Sequence, residues 1–137
     1  MPLVRIDVNE GRAPEGLQGV SRAIHDAIVA EFGIPERDYF HVMTEHKAGQ
    51  IVAQDAGLGF GRSGDVVMIQ IFTQQGRPQT AKRALFATIA ANLARVGVAG
   101  ADVFIGYSEN IADDWSFGFG RAQYMTGELA VPAPSAA

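Results

Sequence analysis

Residues 22–45 read RAIHDAIVAEFGIPERDYFHVMTE, and residues 86–109 read FATIAANLARVGVAGADVFIGYSE. Aligned at an offset of 64, these 24 pairs hold seven identities: Ala23/Ala87, Ala27/Ala91, Ala30/Ala94, Gly33/Gly97, Asp38/Asp102, Phe40/Phe104 and Glu45/Glu109. The alanines carry little weight, because any two alanine-rich helices share them. The glycines, aspartates and phenylalanines sit at places with structural meaning. Gly33 and Gly97 each end an apolar stripe of helical spacing, where a left-handed residue terminates a helix. The stripe before Gly33 is Leu17, Val20, Ile24, Ile28 and Phe32; before Gly97 it is Leu85, Phe86, Ile89 and Leu93. Pro14 and Pro78 suit the two helix starts, and Pro35 prevents the first helix from resuming.

Working outward from this pair, each half also has a strand on either side of its helix. Leu3 to Val8 alternates, with Val4, Ile6 and Val8 on one face, and Pro2 falls opposite Val66 in the repeat. Tyr39–Thr44, Val66–Phe72 and Val103–Tyr107 read as the other strands. Residues 47–64 are glycine-rich and loop-like, with room for a short hairpin. The order strand-helix-strand, loop, strand-helix-strand predicts an α/β (α+β) fold: a duplicated β-α-β unit making one four-stranded mixed sheet with both helices on one face. Residues 1–130 form a single domain on this reading, with pseudo-repeats at 2–46 and 66–110, an aromatic segment at 112–130 and a frayed tail at 131–137. Nothing remains to cover the sheet's other face, so self-association is expected.

Composition narrows the function. The 137 residues are 47% hydrophobic and 19% charged, with net charge −4, which argues against nucleic acid as a partner. Cysteine is absent, so disulfides and thiolate metal sites are excluded. No cationic segment precedes an apolar core at the start, and no apolar run approaches ~18 residues, so no membrane contact and a cytoplasmic location are expected. GLGFGRSGD (57–65) is glycine-rich but precedes a strand and lacks the Lys-Ser/Thr of a phosphate loop. His25, His41 and His46 have no spacing of a metal set. Neither metal nor cofactor is expected.

The chain begins Met1-Pro2, and a small second residue permits removal of the initiator methionine. A terminal prolyl nitrogen would then be a secondary amine. An α-amino group titrates at about 7.7–8.0, near enough to neutrality for its surroundings to set its charge. It can act as a base, an acid or a nucleophile toward carbonyls.

Together PLVRIDV (2–8), the duplicated β-α-β pattern and the length resemble the tautomerase superfamily, whose members use an amino-terminal proline catalytically. Within it, IPERDYF (34–40), QDAGLGFGRS (54–63), VVMIQIF (66–72) and DDWSFGFGRAQYMTGEL (113–129) resemble the malonate semialdehyde decarboxylase family over nearly the whole chain. The resemblance implies a homotrimer with each active site near a subunit boundary. It also implies conversion of malonate semialdehyde (3-oxopropanoate), a small carboxylate, to acetaldehyde and carbon dioxide. It places the catalytic pair on Pro2 and Asp38, and puts Trp115, Phe117 and Tyr124 in the pocket around the proline, where phenylalanine is more usual than Tyr124. Arg77, in TQQGRP (73–78), is expected to grip the substrate carboxylate with Gln74 beside it. The better-known decarboxylases carry two arginines as R-P-R in this loop, and Gln74, Gln75 and Gly76 stand there instead.

Decarboxylating a β-oxo acid leaves an electron pair at the α-carbon that must flow into the carbonyl. A cation beside that oxygen stabilises the developing enolate. A prolinium supplies it by hydrogen bonding, or Pro2 forms an iminium. An extended DDWSFGFG would put Trp115, Phe117 and Phe119 on one side, leaving Phe119 as a pocket wall or a trimer contact. Two further readings stand beside the decarboxylase. One is a related proline-dependent hydratase, dehalogenase or keto-enol tautomerase; the other is a non-catalytic trimer that keeps the pocket.

Overall fold

The computed structural model describes residues 1–132; residues 133–137, most of the stretch expected to fray, lie outside the described residues. In chain order the elements are β1 (Pro2–Asn9), α1 (Pro14–Phe32), β2 (His41–His46), β3 (Val67–Gln74), α2 (Gln79–Arg95), β4 (Val103–Asn110) and a short α3 (Gln123–Thr126). The sheet order is β2-β1-β3-β4. Each β-α-β half is parallel, and the halves meet antiparallel at β1 and β3, with Pro2 opposite Thr73 and Val8 opposite Val67. This is the mixed sheet expected from the duplication. The glycine caps behave as the repeat implies, with φ of +64° at Gly33 and +89° at Gly97, where a β-carbon would be strained.

The core lies between the sheet and the two helices. Val4, Ile6 and Val8 of β1 and Val67, Ile69 and Ile71 of β3 meet Val20, Ile24 and Ile28 of α1 and Leu85, Ile89 and Leu93 of α2, all fully buried. Neither α1 nor α2 covers the opposite face: Phe40 just before β2, Val42 and Phe104 are 41%, 43% and 45% exposed. Phe40 and Phe104, a repeat pair, stand in equivalent places on that face.

The observed strands end later than the apolar runs do. β3 continues through Thr73 and Gln74, and β4 through Glu109 and Asn110, because these polar residues pair with one another in the ladder. β2 starts at His41 rather than Tyr39, since Pro35 and Asp38 close a turn first (Asp38 N–H to Pro35 O, 3.0 Å). Residues 47–66 contain no strand. Asp55 instead folds the glycine-rich stretch by accepting the N–H groups of Gly57 (3.2 Å) and Gly59 (2.7 Å), which holds its carboxyl below the usual range. The loop is latched to the second repeat. Arg62 donates to the carbonyls of Gln54 (2.9 Å) and Ala101 (2.7 Å), and buried Asp102 accepts from Ser63 N (2.7 Å) and Oγ (2.6 Å). The two repeat aspartates have therefore diverged: Asp102 locks a loop, and Asp38 is available for something else.

Candidate active site

The chain start enters the sheet at its centre. Pro2 is buried at the head of β1 on the helix-side face, and Met1 is buried before it. Three independently placed groups converge on this terminus. Asp38 is half-buried on the turn that leads into β2. Arg77 stands between β3 and α2, where its NH1 donates to Thr73 Oγ1 (3.1 Å) and Gln74 O (3.1 Å) and its guanidinium lies 4.6 Å over the Phe32 ring. Tyr124, on α3, is buried and feels both Asp38 and Arg77.

The electrostatics follow from that convergence. Burial lowers the pKa of the Met1 α-amino group from 8.0 to about 6, the Arg77 cation adds to the lowering, and Asp38 opposes both. Asp38 favours the ammonium, as its sequence position suggests, but burial and Arg77 outweigh it, so an amine here is largely neutral at pH 7. Burial raises Asp38's own pKa, against the attraction of the chain amine and of His25. Burial and Asp38 also raise the Tyr124 hydroxyl, which stays a neutral donor.

An aromatic wall completes the site. Trp115 and Phe117 are stacked (6.1 Å, 4°), Phe117 meets Tyr124 edge-on (5.2 Å, 88°), and Trp115 Nε1 donates to Asn110 Oδ1 (2.8 Å). A cavity of about 260 Å³ is lined by Met1, Leu3, Phe40, Trp115, Ser116 and Phe117. Gln74 is buried nearby in sequence to Arg77, and its Oε1 has no hydrogen-bond partner.

Phe119 corrects the expected alternation. It is 92% exposed and shares no side with Trp115 and Phe117, because the chain turns at Gly118: φ is +155° there, +59° at Phe119 and +67° at Gly120. Gly118 then bridges back to Arg121. Phe119 lines no part of this chain's cavity. Sequence reasoning also missed Leu3, Phe40, Thr73 and Phe32. Phe32 reads as the end of a helix stripe, and only the fold puts it under the Arg77 guanidinium.

A larger hollow lies elsewhere. About 860 Å³ lies between α1 and β2, lined by residues including Ser21, Arg22, Tyr39 and His41, and none of Met1, Asp38 or Arg77 borders it. We place the chemistry at the chain start, where Met1 lines the smaller cavity and its amine feels both Asp38 and Arg77, although neither of those side chains lines that cavity. His41 gives the larger one a stability signature. Burial, aided by His25 and Arg22, lowers its pKa to about 4 from 6.5. Between those values the unfolded chain binds more protons at this site than the folded one does, so stability falls as pH drops from 6.5 toward 4. The loss from His41 is about 3 kcal/mol. Denaturant titrations at pH 7 and pH 4 should show the natural chain losing about that much more than His41→Asn; equal losses would remove His41 as the cause.

Among the described residues no group of three or more His, Asp or Glu side chains is placed to hold a metal ion, and no helix is long and apolar enough to cross a membrane. A duplicated β-α-β sheet whose amino terminus opens the central strand, met there by a carboxylate and an arginine, defines a tautomerase-type protein. Two family profiles, each described as tautomerase enzyme, match residues 38–118 and 2–61. The FG41 malonate semialdehyde decarboxylase, solved as inhibited by 3-bromopropiolate, is 52% identical with a TM-score of 0.92, over 95% of this chain and 99% of that one. A malonate semialdehyde decarboxylase solved in wild-type, mutant and inactivated forms to explain decarboxylase and hydratase activities is 34% identical, with a TM-score of 0.89 over 93% and 99% of the chains. The probable tautomerase YrdN of Bacillus subtilis (strain 168) is 35% identical over 130 residues, 94% of this chain and all of that protein. The chain belongs to the tautomerase superfamily and, within it, to the malonate semialdehyde decarboxylase family.

Proposed function

We propose that the protein decarboxylates malonate semialdehyde (3-oxopropanoate) to acetaldehyde and carbon dioxide with the amino-terminal proline that Met1 removal exposes. The observation that carries this reading is that Asp38 and Arg77 both act on the chain start, which itself lines an apolar cavity. Met1 lines that cavity, so its removal enlarges the space directly before the prolyl nitrogen.

In the proposed reaction Arg77 pairs with the substrate carboxylate and the prolinium N–H donates to the aldehyde oxygen. The bond between the α-carbon and the carboxyl carbon breaks, and its electron pair moves into the carbonyl as an enolate that the cation stabilises. A proton then adds to the α-carbon, so 3-oxopropanoate plus one proton gives acetaldehyde and carbon dioxide. Trp115, Phe117 and Tyr124 wall the site, and neutral carbon dioxide is at home there where a carboxylate is not. The 52% identity to a malonate semialdehyde decarboxylase supports this substrate. The exposed apolar face around Val42 and Phe104 supports a homotrimer. A coupled acetaldehyde assay on protein whose mass proves Met1 removal tests the function; processed protein that releases no acetaldehyde would overturn it.

One observation favours a second reading. The site lowers the pKa of the Met1 amine to about 6, and a prolyl amine held neutral by the same surroundings is a base fit for keto-enol tautomerisation or hydration. A secondary amine is intrinsically more basic than a primary one, and this keeps the decarboxylase first. Asp38→Asn separates the two. Because Asp38 raises the amine's pKa, the variant's amine should titrate lower. Decarboxylation at pH 7 should fall by about tenfold or more, within the range of acid–base catalysis, while enol-ketone tautomerase activity persists or rises. An unchanged prolyl pKa by NMR with unchanged decarboxylation would remove Asp38 from the mechanism.

A further inference from the structure

We propose that His25 is a positioning residue for Asp38, acting with Ser21 and Arg22 as a clamp from α1 on the segment that carries the carboxylate. Asp38 closes the turn that begins at Pro35, and both residues that bracket Asp38's neighbourhood are held from α1. His25 Nε2 lies 2.9 Å from the backbone carbonyl of Glu36, at the corner of that turn. A carbonyl only accepts, so Nε2 carries the proton and donates. The His25 ring also stacks on Tyr39, with centroids 3.9 Å apart at 24°. Ser21 Oγ bonds the Tyr39 hydroxyl (2.7 Å) and His41 Nδ1 (2.8 Å). Arg22 pairs with the Glu36 carboxylate and lies 5.0 Å over the Tyr39 ring. Residues 36, 39 and 41 are thus tied to one helix face, and Asp38 is suspended between the ties.

Histidine carries a stability cost here. His25 is completely buried on the core side of α1, yet its Nδ1 has no hydrogen-bond partner. An orphaned buried polar nitrogen is a cost that leucine or phenylalanine would not carry. What histidine supplies and an apolar residue lacks is the N–H on the Glu36 carbonyl. A displacement of a catalytic group by about 1 Å can cost on the order of 100-fold in rate, which is ample reason to keep that bond.

The inference rests on Asp38 acting in catalysis as proposed above. Its test uses His25→Phe, which keeps the stack on Tyr39 and loses the N–H, and His25→Gln, whose amide N–H can reach the same carbonyl. For His25→Phe we expect kcat lower by roughly 10- to 100-fold with KM within about twofold, and for His25→Gln a return to within about threefold of the natural enzyme. Exchange of the Asp38 amide, whose N–H closes the turn, should quicken by about tenfold or more in His25→Phe and stay near the natural rate in His25→Gln. That second readout needs no substrate, so it judges the clamp even if the decarboxylase reading fails in the unmutated protein. Should His25→Phe not fold, Ser21→Ala removes the tie through Tyr39 and should lower kcat alone. Natural kcat and natural Asp38 exchange in His25→Phe, or His25→Gln no better than His25→Phe, would overturn the proposal.

Discussion

Pro2→Ala is expected to lose roughly 10²- to 10⁴-fold in kcat/KM, the range of a positioned acid or base, while the subunits stay assembled. Alanine is also small, so it permits Met1 removal as proline does, and in processed protein the difference measured is the ring. That ring makes the nitrogen a secondary amine, raises its basicity and fixes the direction of its N–H groups. Pro2 is buried on the same face as Val4, so the substitution also removes apolar volume from the head of β1. Assembly by sedimentation and unfolding by denaturant must accompany the kinetics for that reason. A second arm avoids packing altogether: a chain that retains Met1, whose amide bond ties up the prolyl nitrogen, should be as inactive as the variant. A processed Pro2→Ala protein with near-natural turnover, or an active chain that keeps Met1, would exclude proline chemistry.

How much of this was legible in the sequence depends on the range of the interaction concerned. The helix stops at Gly33 and Gly97 and the alternation of β1 are local, and the fold follows them closely. The repeat offset of 64 instead becomes 65 between β1 and β3, whose buried faces start at Pro2 and Val67. The proline at the chain start and the turn at Asp38 were likewise readable as candidates, though the resemblance to a family supplied their roles. The alternation Trp115-Ser116-Phe117-Gly118-Phe119 was a sound local reading that failed at one residue. Two glycines free the backbone to turn, and nothing in residue order says that the turn is taken. Asp38 and Asp102 are identical in the repeat, and only the fold shows that one meets Ser63 across the loop while the other meets the chain amine. Ser21 and His25 were hidden for the same reason. Polar residues on a helix read as solvated, and their partners on the segment 36–41 come from the tertiary packing of α1 on β2.

The charge balance at the amine is the clearest case of competing magnitudes. From the sequence, an aspartate near a proline argues for a cation. In the folded chain Asp38 does pull that way on the Met1 α-amino group, but burial and Arg77 push harder and lower it to about 6. On the proposed reading, the arginine that is to grip the substrate carboxylate also tends to discharge the amine in the empty site. Once a carboxylate sits on Arg77, much of that positive field is neutralised, and the amine regains its proton where the reaction needs it. Substrate binding and amine protonation are coupled on this account, and Arg77 is the link between them.

Arg77→Ala therefore carries two losses. The guanidinium spends NH1 on Thr73 Oγ1 and the Gln74 carbonyl and is braced by the Phe32 ring. Among the described residues its Nε and other terminal nitrogen have no such bonds, and those are the donors a carboxylate takes in bidentate fashion. Truncating one partner of such a buried pair costs roughly 2–5 kcal/mol, and about 1.4 kcal/mol is a factor of ten, so kcat/KM on 3-oxopropanoate should fall by at least ~30-fold. The amine of the ligand-free variant should titrate higher than in the natural protein, because a neighbouring cation has gone. The pKa rise reports the lost charge whatever its role, and the loss confined to the acidic substrate is what a merely structural arginine would not give. A neutral oxo compound, which has no carboxylate to lose, should keep its kcat/KM within a few fold or gain from the more protonated amine. Equal losses on the acidic and the neutral substrate would make Arg77 a brace for the β3–α2 turn and nothing more.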